Sequence, residues 1–93
     1  MAQSFLKDPD SVVDYVIDWA TWLAGTSPVD TISTSTWTAE TGITIDSDTN
    51  STTRAKVWLS GGSDGTTYTV TNRIVTAGSR TADRSLRIVC RSR

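Results

Sequence analysis

The chain has 93 residues, nine basic and ten acidic, for a formal net charge of −1, with one cysteine and no histidine. That length bounds it to one domain, near the lower end of what folds on an unaided hydrophobic core. The balanced charge argues against a general nucleic-acid binder, and a single cysteine excludes an internal disulfide. Without histidine the usual proton shuttle and the commonest metal ligand are missing.

Charge is unevenly spread. Residues 1–64 carry Lys7, Arg54 and Lys56 against nine acids, whereas residues 65–93 carry six arginines against Asp83 alone. Either two parts of one fold attract each other, or the surface has an acidic and a basic side suited to docking. Serine and threonine concentrate between Thr31 and Thr53. Threonine is β-branched and suits solvent-facing strand positions, so the composition favours an all-β domain.

Residues 1–11 read as a lead-in to a domain over 12–90, with 91–93 as a tail. Asp8-Pro9-Asp10 restricts the backbone there, while Phe5 and Leu6 are free to tuck inward or reach a neighbour. MAQSFLKDPD has no long apolar core, so neither a secretory signal nor a membrane span is expected.

Residues 12–24, VVDYVIDWATWLA, fit two periods. As a helix, Val12, Val16, Trp19 and Leu23 share a face, with Ser11 as cap and Gly25 as stop. As a strand, Val13, Tyr15, Ile17 and Trp19 alternate with Asp14, Val16 and Asp18. The Val, Ile, Tyr and Trp content favours a strand over 12–19 with a turn around Trp22–Leu23.

Gly25 to Pro28 reads as a connection. Residues 30–38 read as a strand in which Ile32 and Trp37 differ in parity, so either a bulge separates them or one faces outward. Residues 42–45 form a short strand and Asp46 to Thr53 a polar loop. In residues 54–59, RAKVWL, Ala55, Val57 and Leu59 point inward and Lys56 and Trp58 outward. Ser60 to Gly65 is a turn-rich break.

The clearest pattern is the long hairpin 64–90. Tyr68, Val70, Asn72 and Ile74 share one face of its first strand, and Leu86, Ile88 and Cys90 one face of its second. A period of two with one apolar face is what half-buried antiparallel strands need. Short strands separated by turn signals make a sandwich or barrel. Tyr68, two residues before the inward Val70, has the placement of a tyrosine corner, in which a Tyr hydroxyl bonds back to the upstream backbone. The expected fold is an all-β, immunoglobulin-like antiparallel sandwich of six to seven strands without a disulfide.

Little in this inventory is catalytic. Asp14 and Asp18 pair on an outer strand face, where carboxylates stay solvated, and Cys90 falls on an apolar face with nothing to activate it. The chain is not expected to be an enzyme or to hold a cofactor. Asp46-x-Asp48-x-Asn50 has the spacing of half a calcium loop, but Ser51 and Val57 stand where that loop needs glycine and a bidentate acid. A polar turn is the plainer reading, and no metal is assigned. The arginines are not interleaved with aromatics, so nucleic acid is not an expected partner.

What remains is docking. Trp58 beside Lys56 is a large aromatic on a wet strand face, the kind of residue that anchors interfaces unless a loop covers it. Trp22 near a turn is a second aromatic candidate, and Arg73, Arg84 and Arg87 form a basic set suited to an acidic protein partner.

Tyr15-x-Ile17-x-Trp19, Trp22-Leu23 and Val57-Trp58-Leu59-Ser60-Gly61-Gly62 leading into Tyr68-x-Val70 resemble small phage proteins described as fibre–tail adaptors, over roughly Lys7 to Val89. The resemblance implies an immunoglobulin-like virion component made in the host cytoplasm, bridging tail or connector proteins to fibre proteins, an arrangement compatible with repeated copies around a symmetric particle. It also favours the strand reading of 12–19. Capsid decoration, or carbohydrate binding through Trp22 or Trp58, are the alternatives.

Overall fold

The structure is a computed structural model that describes residues 3–25 and 29–91. Most of the connection expected before Val29, and the tail beyond Arg91, lie outside the described residues. Seven strands form two sheets: β1 (Gln3–Lys7), β2 (Val13–Asp18), β3 (Ile32–Ala39), β4 (Ile43–Asn50), β5 (Arg54–Gly61), β6 (Thr67–Thr76) and β7 (Thr81–Cys90). A four-residue helix, α1 (Ala20–Leu23), follows β2. One sheet has the order β1-β7-β6-β3 and the other β2-β5-β4. All neighbours are antiparallel except β1, which runs parallel to β7.

Alternation decides the layers. Tyr15 and Ile17 of β2, with Ala55, Val57 and Leu59 of β5, face Val70, Ile74, Leu86 and Ile88 of the other sheet, all buried. Each fully buried aliphatic side chain contributes about 1.5–3 kcal/mol relative to exposure. Trp19 and Leu23 close one end of this core. The α1 turn exists because the strand must stop for them to fold inward: Asp18 Oδ1 accepts from Ala20 N–H at 2.9 Å, the local bond that turns the chain.

Two segments depart from the expectations, and β3 decides between the two alternatives left open for it. The lead-in is a strand, with Phe5 packed on Tyr15 at 5.1 Å between ring centroids. Lys7 on the same strand is 1% exposed; its ammonium donates to the Gly61 and Asp8 carbonyls at 2.8 and 3.0 Å while its stem lies in the core. The polar loop from Asp46 is instead the second half of β4, because β5 supplies the ladder that DSDTN does not favour by itself. Asp46, Asp48 and Asn50 therefore lie on an extended strand rather than a calcium-type loop. Among the described residues no three His, Cys, Asp or Glu side chains come together as metal ligands. In β3 a register shift between Ile32 and Thr34 removes the parity conflict, and Ile32 and Trp37 are both buried.

Asn72 is a fully buried side-chain amide in this interior. Its Oδ1 accepts from Trp19 Nε1 at 2.9 Å, and its Nδ2 donates to Ser35 Oγ and the Thr36 carbonyl at 2.9 and 3.2 Å. One side chain thus ties β6, β3 and the closing Trp19 together, and its burial is compensated by three bonds.

Candidate protein-interaction surface

The glycine-rich break after β5 shapes one end of the molecule. Ser63 N–H donates to the Tyr68 hydroxyl at 3.0 Å. Gly62, at φ +95°, approaches so closely that a Cβ there would stand 2.4 Å from Cys90 Sγ. Cys90 is buried and free, and burial pushes its thiol pKa up, with Lys7 pulling weakly the other way. A thiol held protonated in a dry site is inert.

The aromatic and basic candidates fall into three groups. Trp58 lies on the outer face of β2-β5-β4 and is 37% exposed. Lys56 Nζ stands 5.5 Å from its ring centroid and 3.6 Å from Asp14 Oδ2. Next to them Val16 (half-exposed), Thr49, Asn50, Ser51, Arg54 and Lys56 line a shallow depression of about 380 Å3. Asp18 pairs with Arg54 at 3.5 Å along its rim. Both pairs are well exposed and worth little to stability, about 0–1 kcal/mol each. This face has an aromatic, one exposed aliphatic side chain in Val16, and two cations held only by exposed ion pairs.

Arg73 and Arg87 lie on the outer face of the other sheet, amid hydroxyls. Arg73 makes a bidentate pair with Asp83, at 2.8 and 3.0 Å, which lowers the Asp83 pKa. Thr71 and Ser85 bond across the next rung at 3.0 Å. Arg87, exposed, has no partner among the described residues.

Trp22 and Arg84 are at the closed end. Arg80 Cζ stacks 4.1 Å from the Trp22 ring centroid, Trp22 meets Trp19 edge-on at 5.5 Å, and Arg84 Cζ stacks 4.4 Å from the Trp19 ring. Arg84 also donates to the Asp18 carbonyl at 3.2 Å, linking the two sheets. Behind Arg80, Asp30 accepts from Thr31 N–H, Gly78 N–H and Arg80 Nε at 2.9–3.1 Å. A hydrogen bond from the Thr76 side chain is the largest of the causes that hold the Asp30 pKa down to about 2. Sequence reading missed this alternation of rings and guanidiniums, because its members are up to 65 residues apart; the sole hint was that Arg80 and Arg84 share a register.

None of these groups places a nucleophile, an acid–base pair or a metal-ligand set together. No helix among the described residues is long and apolar enough to cross a membrane. No curated protein matches the chain. Residues 7–89 match the family described as podophage GP4 fiber-tail adaptor protein gp77, a span that takes in every candidate above. The chain belongs to this family of phage fibre–tail adaptors: it is a structural, non-enzymatic component of the virion tail.

Proposed function

We propose that the chain joins tail to fibre through two non-overlapping surfaces of one rigid, immunoglobulin-like sandwich. The topology supports the fold reading. β7, β6 and β3 take the places of strands G, F and C, and β2, β5 and β4 those of B, E and D, with the first strand lying beside G. Tyr68, bonded to the backbone five residues upstream, takes the place of the tyrosine corner, and Val70 that of the antibody cysteine.

The first surface is the Trp58–Lys56 face, and the second is the outer face bearing Arg73 and Arg87. Trp22 and Arg84 contribute by fixing the closed end between them. The observation that carries the reading is Trp58: an indole 37% exposed on a hydrogen-bonded strand costs little ordering entropy when a partner covers it. Repeated copies around a symmetric tail would add avidity to each small contact.

The test is binding of purified tail and fibre proteins from the same virion to Trp58→Ala and Arg87→Glu variants. A central aromatic anchor is worth about 2 kcal/mol or more, roughly 30-fold in Kd. Each variant should lose one partner and keep the other. Unchanged binding of both partners by both variants, or glycan binding abolished by Trp58→Ala, would overturn the assignment.

A further inference from the structure

Edge strand β1 pairs with β7 alone, and in parallel. Gln3 lies opposite Leu86 and Lys7 opposite Cys90, and one step beyond, Arg91 N–H donates to the Lys7 carbonyl at 3.0 Å. The chain therefore enters this pair at one end and leaves it at the other. In the hairpins β4–β5 and β6–β7, which are antiparallel, entry and exit lie at the same end. That difference sets how each pair fails under tension. A hairpin pulled apart from its open end loses its rungs one at a time. Tension between the start of β1 and the end of β7 runs along both strands, so the bonds of that ladder must stretch and break together.

Both strands of the pair are anchored against sliding. The buried Lys7 ammonium donates at 2.8 Å to the Gly61 carbonyl, which belongs to β5 in the other sheet, and the Phe5 ring packs on Tyr15 of β2. Drawing β1 along β7 would pull a desolvated ammonium off its acceptor inside the core, a costly displacement. The end of β7 is held from its other side, where Gly65 N–H donates to the Cys90 carbonyl at 2.7 Å and Cys90 N–H to the Thr66 carbonyl at 2.9 Å. Arg87 lies on β7, and Gly61 ends the strand that carries Trp58. β1 is thus a strap between the strands that carry the two docking surfaces.

We infer that the parallel β1–β7 ladder, pinned by Lys7, is a mechanical clamp that lets the chain bear tension between tail and fibre. The inference rests on the adaptor reading for the source of the load, whereas the clamp is a property of the chain alone. The ties at the opposite end of the sandwich, Trp19 to Asn72 and Arg84 to the Asp18 carbonyl, lie off this load path.

The test is single-molecule force spectroscopy on the full chain, with handles attached through thiols at exposed positions. Ser4→Cys with Arg91→Cys loads the clamp along its strands, and Thr66→Cys with Arg91→Cys peels the β6–β7 hairpin from its open end. Cys90 is buried and takes no handle. At one loading rate the first pair should need at least about twice the unfolding force of the second, since forced unfolding reads the barrier rather than the equilibrium. Lys7→Met keeps an apolar stem and removes the ammonium, and should lower the first force by about a third or more. Asn72→Ala lowers equilibrium stability but should leave that force within about a tenth of its value. If Lys7→Met fails to fold, the two pulling directions decide the matter without it. Equal forces in the two directions, or a loss with Asn72→Ala as large as with Lys7→Met, would overturn the clamp. Either result leaves the adaptor reading standing, because that reading is tested by binding to tail and fibre proteins.

Discussion

Asn72→Ala is the substitution whose cost can be worked most directly from the structure. It removes the only described acceptor of the Trp19 indole N–H, in a residue itself 1% exposed, and the donor to Ser35 and Thr36. An orphaned buried donor costs about 1–3 kcal/mol. Ser35 is half-exposed and can turn to water, and the Thr36 carbonyl keeps its ladder position, so neither adds much. The void left by the amide adds on the order of 1 kcal/mol. The expected loss is therefore about 2–4 kcal/mol, a fall in Tm of roughly 10–25 °C for a domain of this size. Urea unfolding followed by tryptophan fluorescence measures it. Trp19→Phe completes a double-mutant cycle, and the Trp19–Asn72 coupling should be about 1 kcal/mol or more. A single-mutant loss under about 0.5 kcal/mol, or a coupling near zero, would refute the claim that this amide holds the end of the sandwich closed.

Two further outcomes follow from local geometry. Gly62→Ala combines a positive φ with a Cβ placed 2.4 Å from Cys90 Sγ, and should cost about 2–4 kcal/mol; Cys90→Ala should recover part of that loss, since it relieves the contact but not the backbone strain. Asp30 has a folded pKa near 2 against an ordinary value of 3.8, so its stabilisation is fully present above about pH 4 and drains away as pH falls toward 2. Thermal scans from pH 5 to pH 2 should show a decline in Tm that Asp30→Asn flattens; an unchanged decline in that variant would assign it to other carboxylates.

Much of this was legible in the sequence where one strand face is apolar and the other polar. The hairpin of β6 and β7 alternates cleanly from Tyr68 to Thr76 and from Leu86 to Cys90, and a one-residue slip would expose its whole core face. β1 was not legible, because QSFLK has no alternation and its inward position is taken by a lysine whose charge is satisfied by carbonyls 1 and 54 residues away. The second half of β4 was obscured by turn-type chemistry in DSDTN, overridden by pairing with β5. Trp58 and Lys56 were legible as neighbours by parity alone. Arg80 and Arg84 were not separable from the other arginines, since the rings they cover come from α1 and the end of β2.

As a fibre–tail adaptor, this small sandwich should stand between tail and fibre in the particle. High-resolution imaging of the assembled particle tests it most directly. The predicted result is density for a seven-stranded sandwich at the tail–fibre junction, with the Trp58 face and the Arg87 face against different proteins. Density confined to the capsid faces, or both faces open to solvent at the tail, would contradict it.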